Sequence, residues 1–268
     1  MLQTPVLPAI FYIGHKKQKS GYPRIGNYDL RVIVMRHGER IDQVLGPNWY
    51  KSPQAHAQVP KNMPKRPNSL LYVFDPPITR EGERLAMLRG KQLATLGAAA
   101  DYCYSSPSSR TVITASNLLI GMNRASVPIK IDPILFETMS WNPHLKMLGN
   151  ISPFMSTKDW STAGYNIDRR YHRLATYLNP NETEYEYYHR SELFLRSIER
   201  RYGSGRSRKN ILVVGHASST EIFPIIAGRY KFDGNRFGHN LTNMPFLHTV
   251  ILERDAYSKI WSVKPVNI

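Results

Sequence analysis

Residues 31–40 read Arg31-Val32-Ile33-Val34-Met35-Arg36-His37-Gly38-Glu39-Arg40, and the break in the middle of that run decides the fold. RVIVM is a short β-branched stretch of the kind a buried strand needs. It stops abruptly at a cluster of charged and polar side chains. The same switch recurs three times. Tyr102 to Ser105 (YCYS) runs into the loop Ser105-Ser106-Pro107-Ser108-Ser109 and then Arg110. Ile129 to Ile131 leads through IKIDPILF to Glu137. Ile211 to Val214 (ILVV) passes Gly215 into His216-Ala217-Ser218-Ser219.

Helical signals separate these strands. Thr79 is placed to cap a helix with Glu81 and Glu83 in its first turn, a stripe of Leu85, Leu88, Leu93 and Leu96, and Gly97 at its end. Arg110 to Ile120 forms a second helix ended by Gly121, and Tyr185 to Tyr202 a long amphipathic one. Ser218 to Ile226 forms another, with Glu221 in its first turn. His248–Leu252 and Ile260–Val263 alternate as a closing hairpin. This order predicts an α/β fold: a doubly wound, mostly parallel sheet with helices on both faces. The chain reads as one domain, residues 1–268, beginning with an irregular arm over 1–28. It has insertions at about 41–77, which is rich in proline, and 140–190, which is rich in Trp, Tyr, Asn and Pro.

Composition narrows the function classes. Hydrophobic residues make up 41% and charged residues 21%, ordinary globular usage that excludes a disordered or collagen-like chain. No stretch reaches the roughly 18–20 apolar residues of a membrane span. Pro5 to Gly14 is apolar but interrupted by prolines and preceded by no basic residue, so it is not read as a signal peptide. A lone cysteine, Cys103, excludes a disulfide-stapled scaffold and favours a reducing, cytoplasmic compartment.

The net charge of +16 calls for an anionic partner: nucleic acid, a membrane surface or a small anionic substrate. The basic residues cluster at His15, Lys16, Lys17 and Lys19, and at Arg196, Arg200, Arg201, Arg206, Arg208 and Lys209. No aromatic platform or nucleic-acid-binding signature accompanies either cluster, which argues against nucleic acid.

Ligands in such sheets bind at the carboxyl ends of the strands. A parallel sheet brings Arg36, His37, Arg40, Arg110, Glu137 and His216 to one edge. Three guanidinium forks there match the oxygens of a multiply charged anion. A neutral His37 imidazole can attack phosphorus, and Glu137 can protonate the departing oxygen. His216, if protonated, adds charge-assisted hydrogen bonds, and helices beginning near Ser108 and Ser218 aim backbone N–H groups at the pocket. His37-Gly38-Glu39 is not read as a metal site, because no further ligand lies close enough to complete one. Taken singly, each residue has an ordinary structural explanation; together they point to phosphate chemistry.

Arg36-His37-Gly38 resembles the signature of the histidine phosphatase (phosphoglycerate mutase-like) superfamily. The likeness continues through Ile78-Thr79-Arg80-Glu81-Gly82, the serine loop with Arg110, Phe136-Glu137 and Gly215-His216-Ala217-Ser218. Within it, RHGERIDQVLG, DPPIT, GYNID and GHASST are most similar to the UBASH3 (STS or TULA) phosphatase domains and the ecdysteroid-phosphate phosphatases. The resemblance implies that His37 becomes a phosphohistidine, that Arg36, Arg40, Arg110 and His216 hold the phosphoryl group, and that Glu137 donates the proton. It implies no metal and no cofactor, and it suggests a homodimer. Relatives of this kind carry ubiquitin-binding and SH3 modules, for which these residues leave no room, so partners of those modules are not expected.

True mutases carry serine where Arg40 stands, and secreted acid phosphatases place Asp where Ala217 stands. Both departures favour the intracellular phosphatase branch. The reading is a metal-independent phosphomonoesterase acting on a phosphorylated substrate such as phosphotyrosine or a steroid phosphate. A phosphoglycerate-mutase-type phosphotransferase and an inactive phosphate-pocket binding protein are the alternatives. Trp49, Tyr50, Trp141 and Trp160, all in the insertions, are candidate walls for a hydrophobic leaving group, with ordinary packing at least as good an account of them.

Overall fold

In β1 (Tyr28–Arg36), Leu30, Val32 and Val34 face one side of the sheet while Ile33 and Met35 face the other, and all are buried. A strand apolar on both faces needs a layer on each. The computed structural model, which describes residues 27–66, 68–149, 151–204, 207–239, 241–264 and 266, supplies both layers. The other strands are β2 (Tyr102–Ser105), β3 (Ile129–Ile131), β4 (Lys209–Gly215), β5 (Thr249–Asp255) and β6 (Trp261–Lys264). They form one sheet in the order β3-β2-β4-β1-β5-β6. The first four are parallel; β5 and β6 close the sheet antiparallel, as the hairpin pattern predicts.

In chain order the helices are α1 (Ile41–Leu45), α2 (Pro53–His56), α3 (Leu71–Phe74), α4 (Arg80–Thr95), α5 (Ser109–Gly121), α6 (Thr157–Thr162), α7 (Glu184–Tyr202) and α8 (Ala217–Ala227). Ala86 and Leu93 of α4, Val112, Leu118 and Leu119 of α5 and Trp160 of α6 pack with Ile33, Met35, Leu212 and Val214 on one face. Phe194 and Ile198 of α7 and Ile222 and Phe223 of α8 pack with Leu30, Val32, Val34 and Val213 on the other. The sheet is therefore doubly wound, and both apolar faces are removed from water.

Of the expected leucine stripe, Leu93 alone lies fully on the buried face of α4. Leu88 is exposed and Leu85 and Leu96 are half-buried, whereas Gly82, Ala86, Gly90 and Leu93 are buried. Size, not hydrophobicity, sets this face. A Cβ on Gly90 would stand 2.3 Å from the Leu118 carbonyl oxygen, and one on Gly121 would stand 2.0 Å from that of Met87. The two helices cross with their backbones touching.

The proline-rich stretch after β1 is not a bare loop. It carries α1, α2 and α3 and a small core of Ile41, Trp49 and Ala55 with Tyr50 and Tyr72. Its ends meet where Arg40 bridges Ile78 and the Ile41 amide donates to Pro77, so the excursion leaves and rejoins the body at one point. Residues 1–26 of the expected N-terminal arm, including its basic cluster, lie outside the described residues; Tyr28 already belongs to β1.

Gly121→Ala should push α4 and α5 apart and lower stability by about 1–3 kcal/mol, the usual cost of overpacking. A denaturant midpoint measures this; an unchanged midpoint would refute the backbone contact.

Candidate active site

Strand register builds the site. Arg36 pairs with Gly215 across β1 and β4, and Ser105 pairs with Val214 across β2 and β4. The pairing runs on past the strands: the His37 amide donates to Gly215 at 3.0 Å and the Ser106 amide to Val214 at 3.0 Å. His37, Ser106 and His216 therefore leave the sheet side by side. The two imidazole centroids are 5.6 Å apart.

Gly38 lets this turn pass close to α4 and α5. Its amide donates to Thr114 Oγ1 at 2.9 Å, and a Cβ there would lie 3.3 Å from the Gly82 carbonyl oxygen. Glu39 is held by Thr79, whose amide donates to the Glu39 carbonyl and whose hydroxyl donates to its carboxylate at 2.7 Å. The same Thr79 hydroxyl accepts from Gly82 N and caps α4, as the sequence predicts.

Hydrogen bonding determines both histidine tautomers. His37 Nδ1 lies 2.8 Å from the Gly38 carbonyl, which can only accept, so Nδ1 carries the proton and Nε2 keeps its lone pair. His216 Nδ1 lies 3.3 Å from Arg110 Nη2, which can only donate. The His216 proton therefore sits on Nε2, which donates to Ser106 Oγ at 2.8 Å. Burial, reinforced by Arg110 and Arg36, pushes His37 well below its ordinary value of 6.5; burial and Arg110 do the same to His216. Both shifts favour neutral rings in the free site, so the protonation on which charge-assisted bonds from His216 depend is disfavoured there.

Arg110 donates to Glu137 Oε1 at 2.6 Å, and that oxygen lies 3.6 Å from His216 Nδ1. Arg36 donates to the Met244 carbonyl and stands 4.6 Å over the Phe246 ring. Arg36 Nε, Arg110 Nε and Ser108 Oγ are buried with no hydrogen-bond partner among the described residues. Arg40 sits at the edge. Its charge lowers both histidines, but its guanidinium grips Asp42 through two bonds of 2.9 and 2.6 Å.

Sequence reasoning missed the groups that position these side chains. Asp75, fully buried, accepts from the Ser109 amide at 2.8 Å and the Ser109 hydroxyl at 2.5 Å, pairs with Arg66 at 2.5 Å and lies 3.9 Å from Arg110. The first amide of α5, expected to aim at the pocket, is thus already taken. Arg190 of α7 is bound by both Glu182 oxygens and donates to the carbonyls of Ile134, Phe136 and Glu137, which fixes the loop that presents Glu137. Asp75 opens the DPPIT run, so the motif was visible but not this contact. Arg190 lies in an ordinary amphipathic helix and Glu182 in the loop before it, and neither gave a signal.

Trp49 and Trp160 are buried in cores and are not pocket walls, and Trp141 stacks on Phe237. The aromatic surroundings are instead Phe246, 5.9 Å from His37, and Phe136, 5.2 Å from His216. Phe154 lies against Phe136, and Phe74 stacks on His144. His144, also unforeseen, is close enough to Glu137, Arg40 and Arg110 to feel their charges.

The model of the histidine phosphatase superfamily (branch 1) matches residues 56–242, and the chain belongs to that superfamily. The match begins beyond Arg36-His37-Gly38, which the β1–β4 register joins to the rest of the site. The chain is 28% identical over 246 residues to ubiquitin-associated and SH3 domain-containing protein B of Mus musculus, covering 87% of this chain and 38% of that protein. It is 28% identical over 229 residues to the ecdysteroid-phosphate phosphatase of Bombyx mori, covering 80% and 33%. It thus spans between a third and two fifths of the length of these curated relatives. The crystal structure of the ecdysone phosphate phosphatase from Bombyx mori in complex with tungstate superposes with a TM-score of 0.70 at 27% identity, covering 89% of this chain and 94% of that one.

Two outcomes follow from the geometry. His37 and His216 bind protons in the unfolded chain near 6.5 but stay neutral when folded, so stability should fall as pH drops below 6.5. Thermal melting should show this loss, reduced in the His37→Asn/His216→Asn double variant; equal losses in both proteins would contradict it. Asp75→Asn leaves Arg66 without its buried counter-charge, takes one of two from Arg110, and should destabilise the protein by about 3–5 kcal/mol. A denaturant midpoint close to that of the parent protein would show that Asp75 is not the anchor.

Proposed function

We propose, with membership of that superfamily as the premise, that the chain is a phosphomonoesterase working through a phosphohistidine. One observation carries the reading. A neutral imidazole with a free Nε2 lone pair stands among buried guanidinium groups, and two of these have Nε donors unmatched among the described residues. Such donors suit the charge of a phosphoryl oxyanion. The name of the Bombyx mori relative and its structure with tungstate support a phosphate ester as substrate.

In the proposed reaction, Arg36 and Arg110, with Arg40 at the rim, hold the phosphoryl oxygens. His37 Nε2 attacks phosphorus, the P–N bond forms and the ester P–O bond breaks. Glu137, as general acid, gives a proton to the departing oxygen. Water then attacks the phosphohistidine while Glu137 takes a proton, the P–N bond breaks, and inorganic phosphate leaves. His216, taking up a second proton from solvent as the phosphate charge offsets the guanidiniums, adds a charge-assisted hydrogen bond to the phosphoryl group. Each step uses a protein side chain, with no metal or cofactor assigned a part.

The body of the substrate would meet Phe246, Phe136 and Phe154 and the Phe74–His144 stack. These surfaces suit the phosphate ester of a bulky aromatic or apolar alcohol, such as a phosphotyrosine side chain or a steroid phosphate. A cytoplasmic setting is our reading, supported by the single, buried Cys103.

Glu137→Gln separates general acid from mere positioning. Hydrolysis of an alkyl phosphate, whose leaving oxygen needs a proton, should slow on the order of 10²–10⁴-fold. Hydrolysis of nitrophenyl phosphate should slow far less. Equal losses on the two substrates would assign the proton to another group. Chelators should leave both rates unchanged; loss with EDTA and recovery with added divalent metal would overturn the metal-free scheme.

A further inference from the structure

The site occupies the carboxyl ends of the parallel strands. At the opposite end of the sheet a second surface is assembled from three separate segments. Arg200 and Arg201 end α7, Arg208 precedes β4, and the β5–β6 turn carries Tyr257 and Ile260. Hydrogen bonds lock the segments together. Arg254 donates to the Gly203 carbonyl at 2.9 Å, and Trp261 Nε1 donates to Glu199 at 2.6 Å, so the turn is docked on the last turn of α7. Tyr28 pairs with Asp255, and the Arg208 guanidinium stands 5.3 Å over the Tyr28 ring.

The carboxylates at this end are engaged. Asp29 holds Arg254 and Lys259, Asp255 accepts from the Tyr257 and Ser258 amides, Asp101 accepts from Asn210, and Glu199 accepts from Trp261. None of Arg200, Arg201 or Arg208 has a carboxylate partner among the described residues, and all three are exposed. On the β5–β6 turn at the same end of the sheet, Tyr257 and Ile260 project into solvent at 84% and 64% exposure.

We propose that this end of the sheet docks on an anionic lipid surface. Exposed guanidiniums without carboxylate partners meet lipid phosphates and carboxylates, while the tyrosine ring and the isoleucine enter the headgroup boundary. The two projecting apolar side chains favour a bilayer over a nucleic-acid backbone, which would cover the cations and leave Tyr257 and Ile260 in water. Held this way, the molecule turns its histidines away from the membrane.

Sedimentation with vesicles tests this. The protein should pellet with phosphatidylcholine vesicles containing phosphatidylserine, not with phosphatidylcholine alone, and molar salt should release it. Arg200→Glu/Arg208→Glu should weaken binding by at least an order of magnitude, from about fivefold per charge removed. Tyr257→Ser/Ile260→Ser should weaken vesicle binding several-fold while leaving retention on heparin unchanged. Circular dichroism of each variant verifies the fold. Failure to pellet with anionic vesicles would overturn the proposal. So would vesicle binding indifferent to both variants, or RNA binding tighter than vesicle binding and insensitive to Tyr257→Ser/Ile260→Ser.

Discussion

Positive charge confined in a buried pocket is the constraint on which the site depends. Arg36 and Arg110 lie close to His37, Arg110 also lies close to His216, and both imidazoles are buried. Under those conditions an imidazolium is costly, so both rings lose their protons. Under the proposed scheme that leaves His37 ready as a nucleophile at neutral pH, with guanidinium charge that a phosphoryl dianion can balance. Glu137 and Asp75 supply the counter-charge that makes the empty pocket tolerable, one on each side of Arg110.

The scaffold holds these groups in place through side chains outside the pocket. Asp75 ties the start of α5 to Arg66 and, through the Arg66 bond to the Pro153 carbonyl, to the second insertion. Arg190 performs the equivalent task for the loop bearing Glu137. Both insertions thus do more than line the entrance; their side chains hold the segments that carry Arg110 and Glu137. This is a physical reason for long excursions to survive beside an active site.

Much of this was legible in the residues because it follows from local periodicity. Four short apolar runs, each ending in chemically distinctive side chains, are enough to place His37, Arg110, Glu137 and His216 at one edge of a parallel sheet. What was not legible depends on contacts far apart in sequence. The α4 face was misread because its leucines dominate the pattern, while the backbone contact at Gly90 and Gly121 selects the small residues. The tryptophans were offered as walls because large aromatic residues in loops suggest binding, but Trp49 and Trp160 fill cores that no local pattern reveals. Neither Asp75 capping α5 across 34 residues nor the imidazole tautomers can be read without coordinates.

The central claim is that His37 Nε2 forms a covalent bond to phosphorus. Mixing the protein with a phosphate ester carrying radiolabelled phosphorus and quenching in alkali tests it most directly. The account predicts labelled protein that survives alkali, loses its label in acid, and disappears entirely in His37→Ala. Turnover with no labelled protein at any quench time, or label persisting in His37→Ala, would contradict it.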